Sequence, residues 1–170
     1  MLLDVSKALV APGNEIAFEG SIPLPDAAVL DEAIAFPEPV YISGTYVSLG
    51  DVIVLRGNIA FTAAAGCARC LRPAQHGFEA AFEAQFSLVA DPEDPDLYVY
   101  EGAFINPAQV AADTALMALP LQWLCGRGCK GLCPTCGTDR NSFPCTCQSG
   151  GKLASLSALK QLMVQDESEV

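Results

Sequence analysis

The strongest patterning of apolar and polar positions begins at residue 40. Val40 to Leu49 is rich in Tyr, Val and Ile, and Val52 to Ala64 places Ile53, Leu55, Ile59 and Phe61 at period two. Both stretches read as strands, joined in a hairpin at Gly50-Asp51. From His76 to Val89 the alternation is clean, with Phe78, Ala80, Phe82, Ala84, Phe86 and Leu88 on one side and Glu79, Glu83, Gln85 and Ser87 on the other. Phe78, Phe82 and Phe86 are also four apart, as on a helix. A strand here makes Gly66 to Pro73 a turn between two strands of one hairpin, and a strand is predicted.

The flanks are less regular. Glu15 to Ile22 predicts a first strand, Pro23 and Pro25 break the chain, and Asp26 to Phe36 predicts a short helix. Asp91 to Asp96 carries four carboxylates and two prolines, reads as a solvated loop, and lacks the glycine and final glutamate of a calcium loop. Asn106-Pro107 predicts an N-cap followed by proline at the first helical position, with a helix at about 107–118 that stops before Pro120. Leu153 to Val164 predicts a terminal helix with Leu156, Leu159 and Met163 on one face, before an acidic end from Asp166 to Val170. The expected class is α+β. A mostly antiparallel β-sheet with a few helices forms a body over residues 1–120, and residues 121–170 add a cysteine-rich zinc-binding lobe and the last helix to the same folding unit.

Composition fits this picture. Of 170 residues 51% are apolar and mean hydropathy is +0.32, enough for a packed core. No run of eighteen apolar residues occurs, and Asp4 and Lys7 interrupt the first ten residues, so neither a membrane span nor a signal peptide is expected. The expected compartment is the cytoplasm, where eight cysteines at close spacing hold metal in preference to disulfides.

Cys125 to Cys147 contains six of those eight cysteines within twenty-three residues. Cys133-Pro134-Thr135-Cys136-Gly137 is a knuckle: backbone amides turn toward the first sulfur, and the glycine permits a positive φ where a side chain would clash. Cys145-Thr146-Cys147 offers a second pair, so Cys133, Cys136, Cys145 and Cys147 supply the four thiolates of a tetrahedral site. By subtraction, Cys67 and Cys70 join Cys125 and Cys129 at a second site. Spacing also permits a rival partition, with Cys125, Cys129, Cys133 and Cys136 on one ion and Cys67, Cys70, Cys145 and Cys147 on the other. Zinc is the expected metal. Iron suits a tetrahedral sulfur site too, and is the lesser expectation.

Charge modifies the view of partners. The net charge of −11 opposes binding to naked nucleic acid, but the distribution is uneven. Residues 1–120 hold sixteen acidic and four basic side chains, whereas Arg127, Lys130, Arg140, Lys152 and Lys160 face Asp139 alone over residues 121–165. Each ion bound by four thiolates adds a formal charge of −2, so the cysteine segment is nearer neutral than its side chains suggest. A protein partner, or RNA already coated with protein, is favoured. Arg69, Arg72, Arg127, Lys130 and Arg140 are the candidate partner-binding residues, and no membrane or small-molecule substrate is implied.

Catalysis finds little support. Eight cysteines fill two sites completely, leaving no open position for a reactive water. His76, the one histidine, is expected at the surface or a strand end, and neither a zinc-protease motif nor a phosphate-binding loop is present. Trp123 is expected to plug the core beneath the metal lobe. A zinc-stapled protein-interaction module and a thiol redox switch remain as alternatives.

These motifs coincide with a known family. Cys67-Ala68-Arg69-Cys70-Leu71, the helix ending Ala118-Leu119-Pro120, Cys129-Lys130-Gly131-Leu132-Cys133-Pro134-Thr135-Cys136-Gly137, Arg140-Asn141 and Cys145-Thr146-Cys147 closely resemble the bacterial YceD family from about residue 40 onward. The resemblance implies a cytoplasmic, non-enzymatic factor needed for accumulation of large-subunit ribosomal RNA, acting in ribosome assembly. One departure stands out. Family members commonly carry a proline-containing step before the last helix, where this chain has Gly150-Gly151-Lys152-Leu153. Lys152 takes the place of the basic residue, without the planar fork of an arginine.

Overall fold

The computed structural model describes residues 1–29, 32–90, 92–94 and 96–147. The predicted terminal helix and the Gly150–Leu153 junction lie outside the described residues. The chain divides into two compact units, Met1–Arg127 and Gly128–Val170.

In the first unit the elements run β1 (Leu3–Asp4), α1 (Ser6–Val10), β2 (Ile16–Ile22), β3 (Ala27–Val29), β4 (Glu32–Ile34), β5 (Val40–Ser48), β6 (Val52–Gly66), β7 (Pro73–Ser87), β8 (Leu97–Val99), β9 (Phe104–Ile105) and α2 (Ala108–Ala118). The main sheet has the order β2-β5-β6-β7-β8 and is antiparallel except for β7 with β8. The expected α+β class, mostly antiparallel, is therefore what the chain adopts.

The period-two residues explain the sheet. On β6, Ile53, Leu55, Ile59 and Phe61 are buried together, and on β7 the even-numbered Phe82, Ala84 and Phe86 are buried while Glu79 and Glu83 are exposed. Alternate side chains of a strand point to opposite faces, so one face of the hairpin becomes core and the other stays in water. The four-residue spacing of the phenylalanines is thus a by-product of that alternation, since every second even position falls four apart. Gly44 and Gly57 face each other across β5 and β6, where a Cβ on either would run into backbone of the other strand. Only glycine fits this approach.

Two expectations need correction. Asp26 to Phe36 is not a helix: β3 and β4 form a small hairpin there, with Ala27 opposite Ile34 and Ala28 opposite Ala33. Ile34 and Phe36 are both buried, and the Phe36 ring lies 6.0 Å from that of Phe61. Ala35 between them bridges to Ala64 of β6. Burying Ile34 and Phe36 on one side requires period two, which outweighs the helix propensity of the alanines. At α2, the N-cap position is Pro107 rather than Asn106. Asn106 still serves the helix start, because its side-chain oxygen accepts the Ala108 N–H at 3.1 Å.

An aromatic file runs through the core of this unit. Phe36 meets Phe61, Phe61 stacks on Phe78 at 5.4 Å, Phe78 meets Trp123 at 5.5 Å, and Trp123 meets His76 at 5.4 Å. Such pairs add roughly 0.5–1.5 kcal/mol each beyond their buried area. The file ends beside the turn that carries Cys67 and Cys70.

Candidate metal centres

Cys67 and Cys70 occupy the turn between β6 and β7. The Cys67 N–H donates to the Arg72 carbonyl at 2.9 Å, closing the hairpin, and the Leu71 N–H donates to the Cys67 carbonyl at 2.8 Å, with Leu71 at a φ of 60°. The segment that brings Cys125 is held against this hairpin by three bonds. The Ala68 N–H donates to the Trp123 carbonyl at 2.8 Å, the Trp123 indole N–H donates to the Ala74 carbonyl at 3.0 Å, and His76 Nε2 lies 2.7 Å from the Leu124 carbonyl. Trp123 is buried as expected, at 2% exposure. Of the two places expected for His76, it takes the strand end, near the start of β7, and not the open surface. It is half-buried on the inner face of β7 and serves as a tie between distant backbones.

The four sulfurs of Cys67, Cys70, Cys125 and Cys129 lie within 4.8 Å of one another, with Cys70 and Cys125 at 3.6 Å. Those of Cys133, Cys136, Cys145 and Cys147 form a second such group, with Cys136 to Cys145 at 3.5 Å and Cys145 to Cys133 at 3.4 Å. Thiolates ~2.3 Å from a tetrahedral ion stand ~3.8 Å apart, so both groups have the dimensions of a closed four-sulfur site. All eight cysteines are free of disulfide bonds. Each of the two groups can hold a metal ion, and the rival partition is not the one the structure assembles.

The second unit is shaped for its group by short-range bonds. The Gly137 N–H donates to the Cys133 carbonyl at 2.8 Å, with Gly137 at a φ of 72°, and the Cys133 N–H donates to the Thr138 carbonyl at 2.8 Å. The Arg140 N–H returns to the Gly131 carbonyl at 3.0 Å. Asn141 was quoted above only as part of a motif, yet it has the densest set of bonds here. Its Oδ1 accepts the Lys130 N–H at 2.7 Å, and its Nδ2 donates to Asp139 at 2.7 Å and to the Cys129 sulfur at 3.5 Å. Asn141→Ala is expected to weaken metal binding at the Cys129 group by roughly 10- to 100-fold, the usual cost of removing a group that orients a ligand. Competition with a chromophoric chelator would check this, and unchanged affinity would contradict it.

The electrostatics of the two knuckles agree. Burial pushes the Cys67 thiol up, but N–H donors from Cys125, Arg69 and Cys70 outweigh it and bring it down to about 6. Hydrogen bonds from the backbone and side chain of Arg72 lower Cys70. The amides of Cys136 and Thr135 lower Cys133, and the Thr138 hydroxyl and amide lead in bringing Cys136 to about 6. Cys147 goes the other way, up to about 12, because Cys145 and then Cys136 hold its proton. Four thiolates cannot coexist at this spacing without a cation, and a divalent ion would supply that charge. With Cys67 and Cys136 depressed, their thiolates persist at pH 7 and are lost as pH falls through about 6. Cys145 and Cys147, both raised, must give up their protons when metal binds, so affinity at their group is expected to fall steadily as pH drops from 8, and at both groups more steeply below about 6 as Cys67 and Cys136 also take up protons. A chelator titration against pH would show this, and release already complete at pH 7 would contradict it.

The five candidate partner-binding residues, Arg69, Arg72, Arg127, Lys130 and Arg140, are all exposed, and each lies within four residues of a cysteine of one of the two groups. Arg72 also bonds Cys70. Among the described residues no helix is long and apolar enough to cross a membrane. No curated protein and no solved structure matches the chain. The family of the large ribosomal RNA subunit accumulation protein YceD matches residues 55–163, a span that takes in both cysteine groups, and the chain belongs to the YceD family.

Proposed function

We propose that the protein is a non-enzymatic, cytoplasmic ribosome-biogenesis factor that supports accumulation and assembly of the large-subunit (23S) ribosomal RNA, with one structural zinc in each cysteine group. The observation that carries this reading is the pairing of two closed four-sulfur groups with exposed cations on the same turns. Metal fixes those turns, so Arg69, Arg72, Arg127, Lys130 and Arg140 can meet phosphate, or an acidic ribosomal-protein surface, at low ordering cost. The family's name for large-subunit RNA accumulation points the same way. Zinc is preferred to iron because the role is structural and needs no redox change.

The non-catalytic part rests on ligand number. With four sulfurs per ion, no coordination position is left for a water, and His76 is engaged by the Leu124 carbonyl. A redox switch is the second reading, favoured by the exposure of Cys125, Cys136 and Cys147. Depletion of the protein, followed by sucrose-gradient profiling and quantification of both ribosomal RNAs, tests the proposal. Loss of large-subunit RNA and of 50S particles is expected, restored by the parent chain and not by one with Arg69, Arg127, Lys130 and Arg140 changed to Glu. Normal large subunits in depleted cells would overturn the assembly reading.

A further inference from the structure

Among the described residues, the far edge of β7 has no partner strand over most of its length. The Cys67 N–H to Arg72 carbonyl bond makes that pair a hydrogen-bonded one, and the β6–β7 ladder continues it without a bulge. Hydrogen-bonded and non-bonded pairs alternate in an antiparallel ladder, so even-numbered residues of β7 direct N–H and C=O toward β6 and odd-numbered ones toward the opposite edge. The bond from the Tyr100 N–H to the Ser87 carbonyl, 3.0 Å on that opposite edge, has the same parity. β8 occupies the edge only at Gln85 to Ser87. Gly77, Glu79, Ala81 and Glu83 therefore turn their N–H and C=O groups to an edge with which no strand pairs among the described residues.

A cleft lies along the same edge. It has a volume of about 540 Å³ and is lined by the consecutive residues Ala80 to Ala84, facing Val110 and Met117 of α2. Successive strand residues point to opposite faces, so a cleft that touches five in a row follows the edge itself. Its two sides differ in chemistry. On the side of Phe82 and α2 it offers Phe82, Val110 and Met117, the last 87% exposed, beside Asp113 and Thr114. On the other side stands Glu83, which pairs with Arg56 of β6 at 3.1 Å, with exposed Glu79 four residues along, and Asp96 marks the end where β8 begins.

We propose that this edge binds an extended, basic polypeptide segment of a partner by strand addition, with its apolar residues against Phe82 and Met117 and its alternate Lys or Arg residues against Glu79 and Asp96 and sharing Glu83 with Arg56. Backbone bonds to Gly77, Glu79, Ala81 and Glu83 supply affinity, and the alternation supplies selectivity. The acidic rim selects a basic peptide and repels a nucleic-acid phosphate. The site belongs to the sheet and does not depend on the metal groups.

The test is amide hydrogen exchange by NMR on the full metal-loaded chain, with acetyl-Val-Lys-Val-Lys-Val-Lys-amide as the probe. In the free protein the amides of Gly77, Glu79, Ala81 and Glu83 should exchange on the order of 10-fold or more faster than those of Phe78, Ala80 and Phe82, which are bonded to β6. The peptide should slow the first set selectively, and a Val-Glu peptide of the same length should not. Ala81→Pro removes an N–H that points away from β6, so the ladder survives and peptide protection is lost. If that variant does not fold, the exchange pattern of the parent decides. Odd-numbered amides already protected in the free chain, no slowing at millimolar peptide, equal slowing by the Val-Glu peptide, peptide protection in a folded Ala81→Pro variant equal to the parent's, or protection by a uridine oligonucleotide instead would each overturn the proposal.

Discussion

Stripping metal from the protein with a chelator at neutral pH is expected to unfold residues 128–147 while the sheet of residues 1–127 stays folded. The reason lies in what each segment buries. The first unit encloses a continuous apolar cluster that includes Ile42, Ile53, Leu55, Ile59, Phe86 and Ile105, all at most 2% exposed. Among the described residues from 128 onward, the buried apolar side chains are those of two cysteines, Cys129 and Cys133. Ordering this segment costs backbone entropy with almost no hydrophobic burial to offset it. Binding of a structural zinc contributes roughly 10–16 kcal/mol at neutral pH, and that free energy is folding free energy. Exchange and limited proteolysis on the chelated protein should show loss of protection over 128–147 with protection of β5, β6 and β7 retained. Cys133→Ser should reproduce the local effect without a chelator. An apo protein whose 128–147 amides stay protected would contradict this.

Trp123→Ala is expected to destabilise the first unit by about 4 kcal/mol, the usual cost of removing a fully buried large aromatic. The ring is 2% exposed, contacts Phe78 and His76, and donates to the Ala74 carbonyl. Truncation also loosens the strap that sets Cys125 beside Cys70, so metal affinity at that group should fall by at least about 10-fold. Trp123→Phe keeps most of the ring contacts and loses the indole donor. It should cost about 1 kcal/mol, because the Ala74 carbonyl also faces Ala65 in a hydrogen-bonded position. Urea titration of the three chains, with metal present, checks the ranking. A Trp123→Ala protein as stable as the parent would contradict the role given to the aromatic file.

The parts of this fold that were legible in the sequence are those whose cause is local. The β6–β7 hairpin could be read because alternation from Ile53 to Phe61 and from Phe78 to Phe86 records which face is buried, and Gly50 marks the preceding turn with a φ of 93°. The membership of the cysteine groups could be anticipated because knuckle spacing is a constraint on a few bonds, though spacing left two partitions open and three-dimensional closure chose between them. What could not be read depends on partners far along the chain. The two-residue strands β1 and β9 pair Leu3 with Ile105 across about a hundred residues, too short a pattern to register alone. The hairpin at Ala27 to Ile34 was hidden by alanines that favour a helix until Phe61 and Ala64 supply neighbours. His76 and Asn141 draw their roles from backbone groups 48 and 11 residues away, which no residue type announces.

The central claim, that two closed four-cysteine groups each hold one structural zinc, is tested most directly by native mass spectrometry of the freshly purified full chain. The mass should exceed that of the polypeptide by two zinc ions less the protons they displace, and a denaturing spectrum of the same sample should show eight reduced thiols. A chain that carries one metal or none, carries iron in place of zinc, or is lighter than the reduced polypeptide through disulfide formation would contradict the account.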